Sequence, residues 1–145
     1  LMNYYDRTKQ YDKTIQIADT LINRGNRQVQ FYNIKGASLQ NLKKVEESIP
    51  VYKEALKISS NNFNSLRQLG LIYYDKAANL YNNTMNSYKS ISDPSGSEYK
   101  AARENVNLSI SYYKQAASYL EQAVQIQPTD EIVKDYLEKA KKKSR

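Results

Sequence analysis

Residues 29–62, VQFYNIKGASLQNLKKVEESIPVYKEALKISSNN, contain two apolar stripes, each followed by a polar turn. The first stripe consists of Phe31, Ile34, Leu39 and Leu42, and the second of Val45, Ile49, Tyr52, Ala55, Leu56 and Ile58. Spacings of mostly three and four residues place each stripe on one face of a helix. The segment therefore predicts a helix, a turn at 43–44, a second helix and a closing turn at 59–62.

A second copy of this pattern begins at Phe63, and its Gly70 lies 34 residues after Gly36. A fixed period of this length is typical of helical repeats that stack on one another. Glycine inside a helix costs about 1 kcal/mol relative to alanine. Its presence at Gly36 therefore predicts that the second helix approaches the first too closely for a larger side chain. Residues 1–28 match the closing part of an earlier copy whose front is missing.

The period and pattern resemble the tetratricopeptide repeat, a helix–turn–helix unit. The resemblance implies an all-α fold, namely a tetratricopeptide-like solenoid of about three repeats, the last with elongated helices, followed by a C-terminal capping helix. Two features depart from the family pattern. Thr14 and Ser48 stand where the family has alanine, and Pro50 falls inside the second helix, where proline should bend the helix or loosen its first turn.

The third repeat is interrupted between its two halves. Its first half ends at Tyr73, whereas its closing half resumes at Ala116, which is one full period of 34 residues later than the repeat requires. A degenerate extra repeat or a long helical hairpin would each explain the surplus. The only cluster of helix breakers is 91–97, and helical spacing continues unbroken on both sides of it. This pattern favours the long hairpin.

The start of the hairpin, YYDKA at 73–77, resembles a tetratricopeptide subgroup common in Bacteroidetes whose members carry a long helical pair. A chain of 145 residues is one domain by size. We accordingly expect a single domain composed of a truncated repeat at 1–28, a repeat at 29–62, a repeat at 63–130 that includes a long hairpin at 74–115, and a capping helix at 131–145.

Composition argues against an enzyme. The chain has no cysteine and no histidine, so the commonest acid/base residue, thiol nucleophile and zinc ligands are missing. The carboxylate pairs at 46–47 and 130–131 are adjacent in sequence, so on a helix they point about 100° apart. No glycine-rich phosphate loop and no metal-spaced carboxylate cluster occurs. We expect no catalytic residue, no bound metal and no cofactor.

In the tetratricopeptide family, the first helix of each repeat lines a concave groove that faces the ligand. The matching positions here are Gln30, Asn33, Ile34, Ala37, Gln40, Asn41, Asn64, Arg67, Gln68, Leu71, Tyr74 and Asp75. Amide side chains can bond a peptide backbone without demanding charge, although amides also serve merely to keep a helix soluble. Ile34, Asn64 and Gln68 replace three polar or basic residues of the subfamily that clamps C-terminal carboxylates, so chaperone tails are not expected ligands.

The resemblance thus implies a non-catalytic scaffold that binds a protein or peptide partner, with no small-molecule substrate. A basic helical module for nucleic acid is the alternative, because the net charge is +7 and lysines fill 141–143. Cations at a helix end also oppose the helix dipole, so we do not expect nucleic acid. No membrane span is predicted. Bacteroidetes relatives imply the cell envelope or periplasm, while a cytoplasmic location, the partner's identity and the oligomeric state stay open. Because the chain opens at Leu1 inside a repeat, we expect that an upstream segment is missing.

Overall fold

The protein is described here by a computed structural model that covers residues 2–145, and within that range it forms seven α-helices and no strand. The helices are α1 (Met2–Arg7), α2 (Tyr11–Asn23), α3 (Val29–Asn41), α4 (Val45–Ile58), α5 (Phe63–Lys89), α6 (Gly96–Ile126) and α7 (Glu131–Lys143). The all-α prediction is confirmed, and α5 and α6 are the elongated helices that the sequence predicts. No helix of the described range combines the length and apolar character that a membrane span requires.

The chain divides into two compact units, of which the first ends at Leu69 and the second begins at Gly70. The division falls inside α5, so the first seven residues of that helix belong to the first unit. The single domain with repeat boundaries at 28, 62 and 130 stays a prediction.

The first unit repeats one tight turn. Lys9, between α1 and α2, and Lys43, between α3 and α4, have positive φ angles of 57° and 64° and lie 34 residues apart. In each turn the lysine N–H donates to the carbonyl oxygen three residues earlier, and the next N–H donates to the oxygen five residues earlier. This bonding satisfies carbonyl groups at the end of a helix. Ala77, a further period along, is fully buried inside α5, where the chain continues as helix without a turn.

Close packing inside each unit occurs at a glycine. A Cβ atom on Gly36 would lie 2.6 Å from Cζ of Tyr52 on α4, and a Cβ on Gly70 would lie 2.5 Å from Cγ of Leu120 on α6. Tyr52 is 1% exposed and Leu120 is 0% exposed, so neither side chain has open space into which it could move. Each glycine therefore provides the slot that a large side chain of the facing helix occupies.

The departures from the family pattern are accommodated locally. Thr14 and Ser48 are fully buried, and each hydroxyl donates to a carbonyl oxygen at or beside its own helix, at 3.3 Å for Thr14 and 2.6 Å for Ser48. A buried hydroxyl at the alanine position is thereby satisfied without a partner helix. Pro50 lies inside α4, which remains continuous from Val45 to Ile58.

In the second unit, α7 packs along α6, with Val133 and Ala140 fully buried. The buried residues of α6 are Ser109, Tyr113, Ala116, Leu120 and Ala123. Ile110, Ala117 and Val124 continue the helical spacing of the hairpin, but these three side chains are only half-buried. The residue immediately before each of them lies on the buried face instead.

Side-chain caps fix where the last two helices begin. Ser95 Oγ accepts a hydrogen bond from the Glu98 N–H at 3.4 Å, and the Glu98 carboxylate accepts one from the Ser95 N–H at 2.7 Å. This capping box starts α6 and ends the loop at the tip of the hairpin. Hydrogen bonds from Ser95 lower the pKa of Glu98. Asp130 caps α7, accepting from the Val133 N–H at 2.9 Å.

Candidate functional site

Nine of the twelve predicted groove residues lie in the first unit. Six of them recur at helical spacing on α3, and the other three occupy the first two turns of α5; they are Gln30, Asn33, Ile34, Ala37, Gln40 and Asn41, with Asn64, Arg67 and Gln68. Hydrogen bonds tie the two helices together along this side. We call the surface formed by these nine residues the α3–α5 face.

Asn33 is the first of two links between α3 and α5. Its Nδ2 donates to Asn62 Oδ1 at 3.0 Å, and its Oδ1 accepts from Ser65 Oγ at 2.7 Å. Asn62 Oδ1 also accepts from the Ser65 N–H at 2.9 Å, as an N-cap of α5 does. Both ends of the Asn33 amide are thus used within the protein, and Asn33 positions the start of α5.

Gln40 is the second link. Its Oε1 accepts from the Tyr52 hydroxyl at 2.8 Å, while its Nε2 donates to Gln68 Oε1 across a longer distance of 3.5 Å. Burial raises the pKa of Tyr52, so its hydroxyl stays protonated and can donate at neutral pH. Gln40 therefore joins α3 to α4 and to α5, and it holds Tyr52 where that ring covers Gly36.

The other seven residues of the α3–α5 face differ in their exposure. Gln30, Asn41 and Asn64 are exposed, whereas Ile34, Ala37, Arg67 and Gln68 are half-buried. Asn41 Nδ2 donates to the backbone oxygen of Ala37 at 3.0 Å, within the same helix. The face thus offers amide groups around a small apolar area, and Arg67 is the one charged member of the nine.

The other three predicted residues belong to the second unit. The Tyr74 ring packs edge-on against Tyr113, with centroids 5.3 Å apart, and against Tyr136 of α7, at 4.8 Å. Burial raises the pKa of Tyr74. Leu71 is half-buried, and Asp75 is exposed, although partial burial raises the pKa of its carboxyl group. Tyr74 thus contributes to the packing of α7 on the hairpin.

The second unit also contains a cleft that the sequence analysis did not predict. Its volume is about 210 Å³, and its lining consists of Tyr81, Val106, Ser109, Ile110, Tyr113 and Lys143. Ser109 is the available signal in the sequence, because it is a polar residue directly before Ile110 in the apolar spacing of α6. Elsewhere, no group of acidic side chains in residues 2–145 has the arrangement that would hold a metal ion.

Part of the chain is similar to a known repeat. Residues 41–77 match the sequence profile of the TPR repeat, the tetratricopeptide repeat. A crystal structure from Bacteroides ovatus, of a protein provisionally named as protein-binding, superposes with a TM-score of 0.83 at 19% identity, covering 98% of this chain and 69% of that one. A TPR repeats protein from Bacteroides fragilis gives a TM-score of 0.39 at 18% identity, with 95% and 78% covered. No curated protein matches the sequence.

Proposed function

Because residues 41–77 match the profile of the tetratricopeptide repeat, and because this fold is generally a protein–protein interaction module, we propose that the protein is a non-catalytic scaffold that binds a peptide or protein segment on the α3–α5 face. The observation that supports the proposal most directly is the pair of links through Asn33 and Gln40. They hold the two helices in a fixed relation before any partner arrives, and a preformed surface loses less conformational freedom on binding.

The chemistry of the face suits an extended or helical segment. Exposed amides at Gln30, Asn41 and Asn64 offer both donors and acceptors to a peptide backbone. Ile34 and Ala37 provide a small apolar area for one side chain of the partner. Arg67 adds one positive charge, so a neutral or weakly acidic segment fits better than a basic one.

Nucleic acid is the less favoured partner. Three lysines of α7 are paired with carboxylates at N–O distances of 2.6–2.9 Å. The pairs are Lys134 with Glu131, Lys139 with Asp135 and Lys141 with Glu121. Pairing reduces the positive charge that α7 can offer to phosphates. A surface that binds nucleic acid typically presents a stripe of unneutralised lysine and arginine.

A peptide-display selection on the full chain tests the proposal. Selected peptides are expected to bind the wild type and to lose at least about tenfold in affinity for the variant Gln30→Ala/Asn41→Ala/Asn64→Ala, about 1.4 kcal/mol. All three side chains are exposed, so the variant should keep its stability. A matched control replaces exposed amides of the hairpin, Asn82→Ala/Asn107→Ala/Gln115→Ala, and should bind as the wild type does.

Two results would contradict this function. Peptides that bind the α3–α5 variant as tightly as the control would move the binding surface elsewhere. Binding of an oligonucleotide that weakens steeply between about 50 and 200 mM salt would instead favour the nucleic-acid reading.

A further inference from the structure

The cleft in the second unit is built from α5, α6 and the end of α7. Val106 and Ile110 supply aliphatic surface, the Tyr81 and Tyr113 rings supply aromatic surface, and Lys143 supplies a positive charge. Its volume of about 210 Å³ exceeds the roughly 150 Å³ of an apolar cavity that holds one benzene molecule. It is smaller than the sites that take drug-sized ligands. The cleft therefore has room for one ring and a small polar group.

Two hydroxyl groups at this cleft lack a partner. Ser109 is 0% exposed and Tyr113 is 2% exposed, and neither Ser109 Oγ nor Tyr113 Oη makes a hydrogen bond to any residue of the described range. Leaving a buried hydroxyl unsatisfied is costly, and native proteins do so rarely. Both residues line the same small cleft, so a small rotation of either side chain would bring its hydroxyl to a group bound there.

Within residues 2–145, Lys143 contacts aromatic rings and no carboxylate, unlike Lys134, Lys139 and Lys141 of the same helix. Its ammonium lies 5.9 Å from the centroid of the Tyr81 ring and 5.8 Å from that of Tyr113, and no carboxylate of residues 2–145 pairs with it. The two rings hold the cation at the cleft through cation–π attraction. An anionic group inside the cleft would complete its neutralisation.

We propose that the cleft binds a small carboxylate carrying a single ring. The ring packs against Val106 and Ile110, and the carboxylate pairs with the Lys143 ammonium while accepting hydrogen bonds from Ser109 and Tyr113. The ligand is bound and not converted. The proposal is therefore compatible with the expectation that the protein has no small-molecule substrate. It lies entirely in the second unit and is independent of the α3–α5 face, so either proposal can fail without the other.

The protonation state of Tyr113 suits this role. Burial raises the pKa of its hydroxyl, and the neighbouring Tyr74 and Tyr81 raise it further. The hydroxyl therefore keeps its proton throughout the neutral range and can donate to a carboxylate oxygen. A hydroxyl that donates to an anion forms a stronger bond than one that donates to a neutral acceptor.

Titration of the full chain with benzoate, followed by two-dimensional amide NMR, tests the site. We expect saturable shifts centred on the amides of 106–113 and of Lys143. Affinity should fall by about tenfold or more in Lys143→Met and in Tyr113→Phe, while Lys142→Met, an exposed neighbour, should bind as the wild type does. Benzyl alcohol, which has the ring without the charge, should bind at least about tenfold more weakly.

Thermal unfolding, measured with and without benzoate, distinguishes hydroxyl groups that bind a ligand from hydroxyl groups that bind only water. Without benzoate, Ser109→Ala and Tyr113→Phe should raise the melting temperature by a few degrees, because each removes an unsatisfied buried oxygen. Benzoate should raise the melting temperature of the wild type and Lys142→Met, and leave that of Tyr113→Phe almost unchanged. The proposal is overturned by the absence of saturable shifts at the cleft, by equal benzoate affinity in Lys143→Met, or by equal affinity for benzyl alcohol.

Discussion

Asn33 shows that a residue on a predicted binding surface can be required for the fold. Replacing it with alanine removes the acceptor of Ser65 Oγ, which belongs to a fully buried residue, and one donor to Asn62. We expect Asn33→Ala to lower the free energy of unfolding by about 1–3 kcal/mol. Urea denaturation measures the change. Asn41→Ala, on the exposed side of the same helix, should stay within about 0.5 kcal/mol of the wild type.

If the two variants unfolded at the same urea concentration, the Asn33 network would contribute nothing to stability. The expected result also matters for the peptide test. Asn33 and Gln40 are best left unchanged there, because their loss would confuse a weakened surface with a weakened fold.

The hydrogen-bond partners and the burial of single side chains could not be predicted from the sequence. The resemblance to the tetratricopeptide family supplied the twelve groove positions, and helical spacing places six of them on one side of α3. It could not show that the side-chain amides of Asn33 and Gln40 form hydrogen bonds to neighbouring helices, because an amide can bind a ligand or cap a helix equally well. The cleft at Ser109 was missed for a related reason. Whether Ser109 is buried depends on how α6 is rotated about its own axis. A rotation that moves the buried face by one residue would expose it.

At the scale of the element, the tip of the hairpin depends on the capping box at Ser95 and Glu98. We expect Ser95→Ala to destabilise the first turn of α6 by about 1 kcal/mol, because the Glu98 N–H loses its partner. Amide hydrogen exchange should accelerate at 97–100 and remain unchanged at the base of the hairpin. Ser92→Ala, in the loop but outside the box, is the control. Equal exchange in both variants would show that the box does not stabilise the helix start.

The elements themselves were largely predictable. The turn at 43–44 follows from the spacing of the two apolar stripes, and the continuous helix through Ala77 follows from the absence of a breaker there. The seam of α6 follows from the repeat register at Ala116, where the closing half of the repeat resumes and the side chain is fully buried. Nearer the tip it does not, because steps of three and four admit two neighbouring faces, and Ile110 satisfies the period as well as Ser109 does. The choice between them is made by packing distance, on which a single sequence carries no information.

For the whole molecule, we expect stability to fall steeply in alkali. The folded pKa of Tyr52 lies above its unfolded value of about 10, since burial disfavours the ionised ring. The folded state thus keeps a proton that the unfolded state loses. The contribution of Tyr52 is fully present below about pH 10 and is lost as the pH rises toward the folded value, at about 1.4 kcal/mol per pH unit. Tyr74 and Tyr113 act in the same direction.

Urea midpoints measured from pH 8 to 11.5 check this expectation. Tyr52→Phe should be less stable at pH 8, because the bond to Gln40 is gone, but its stability should decline less steeply above pH 10. Tyr99→Phe, at a ring that is 56% exposed, should decline as the wild type does. A Tyr52→Phe curve parallel to that of the wild type would rule out Tyr52 as a source of the alkaline loss.

The contact between Gly70 and Leu120 lies at the base of the hairpin, far along the chain from its tip at 90–95. Nothing about that contact depends on how many turns follow it. Matched insertions or deletions of about seven residues, two turns of helix in each arm, would move the tip by roughly 10 Å and leave the base unchanged. The length of the arm is therefore free to vary between descendants of one ancestral sequence, and it offers engineers a spacer whose reach can be set in steps.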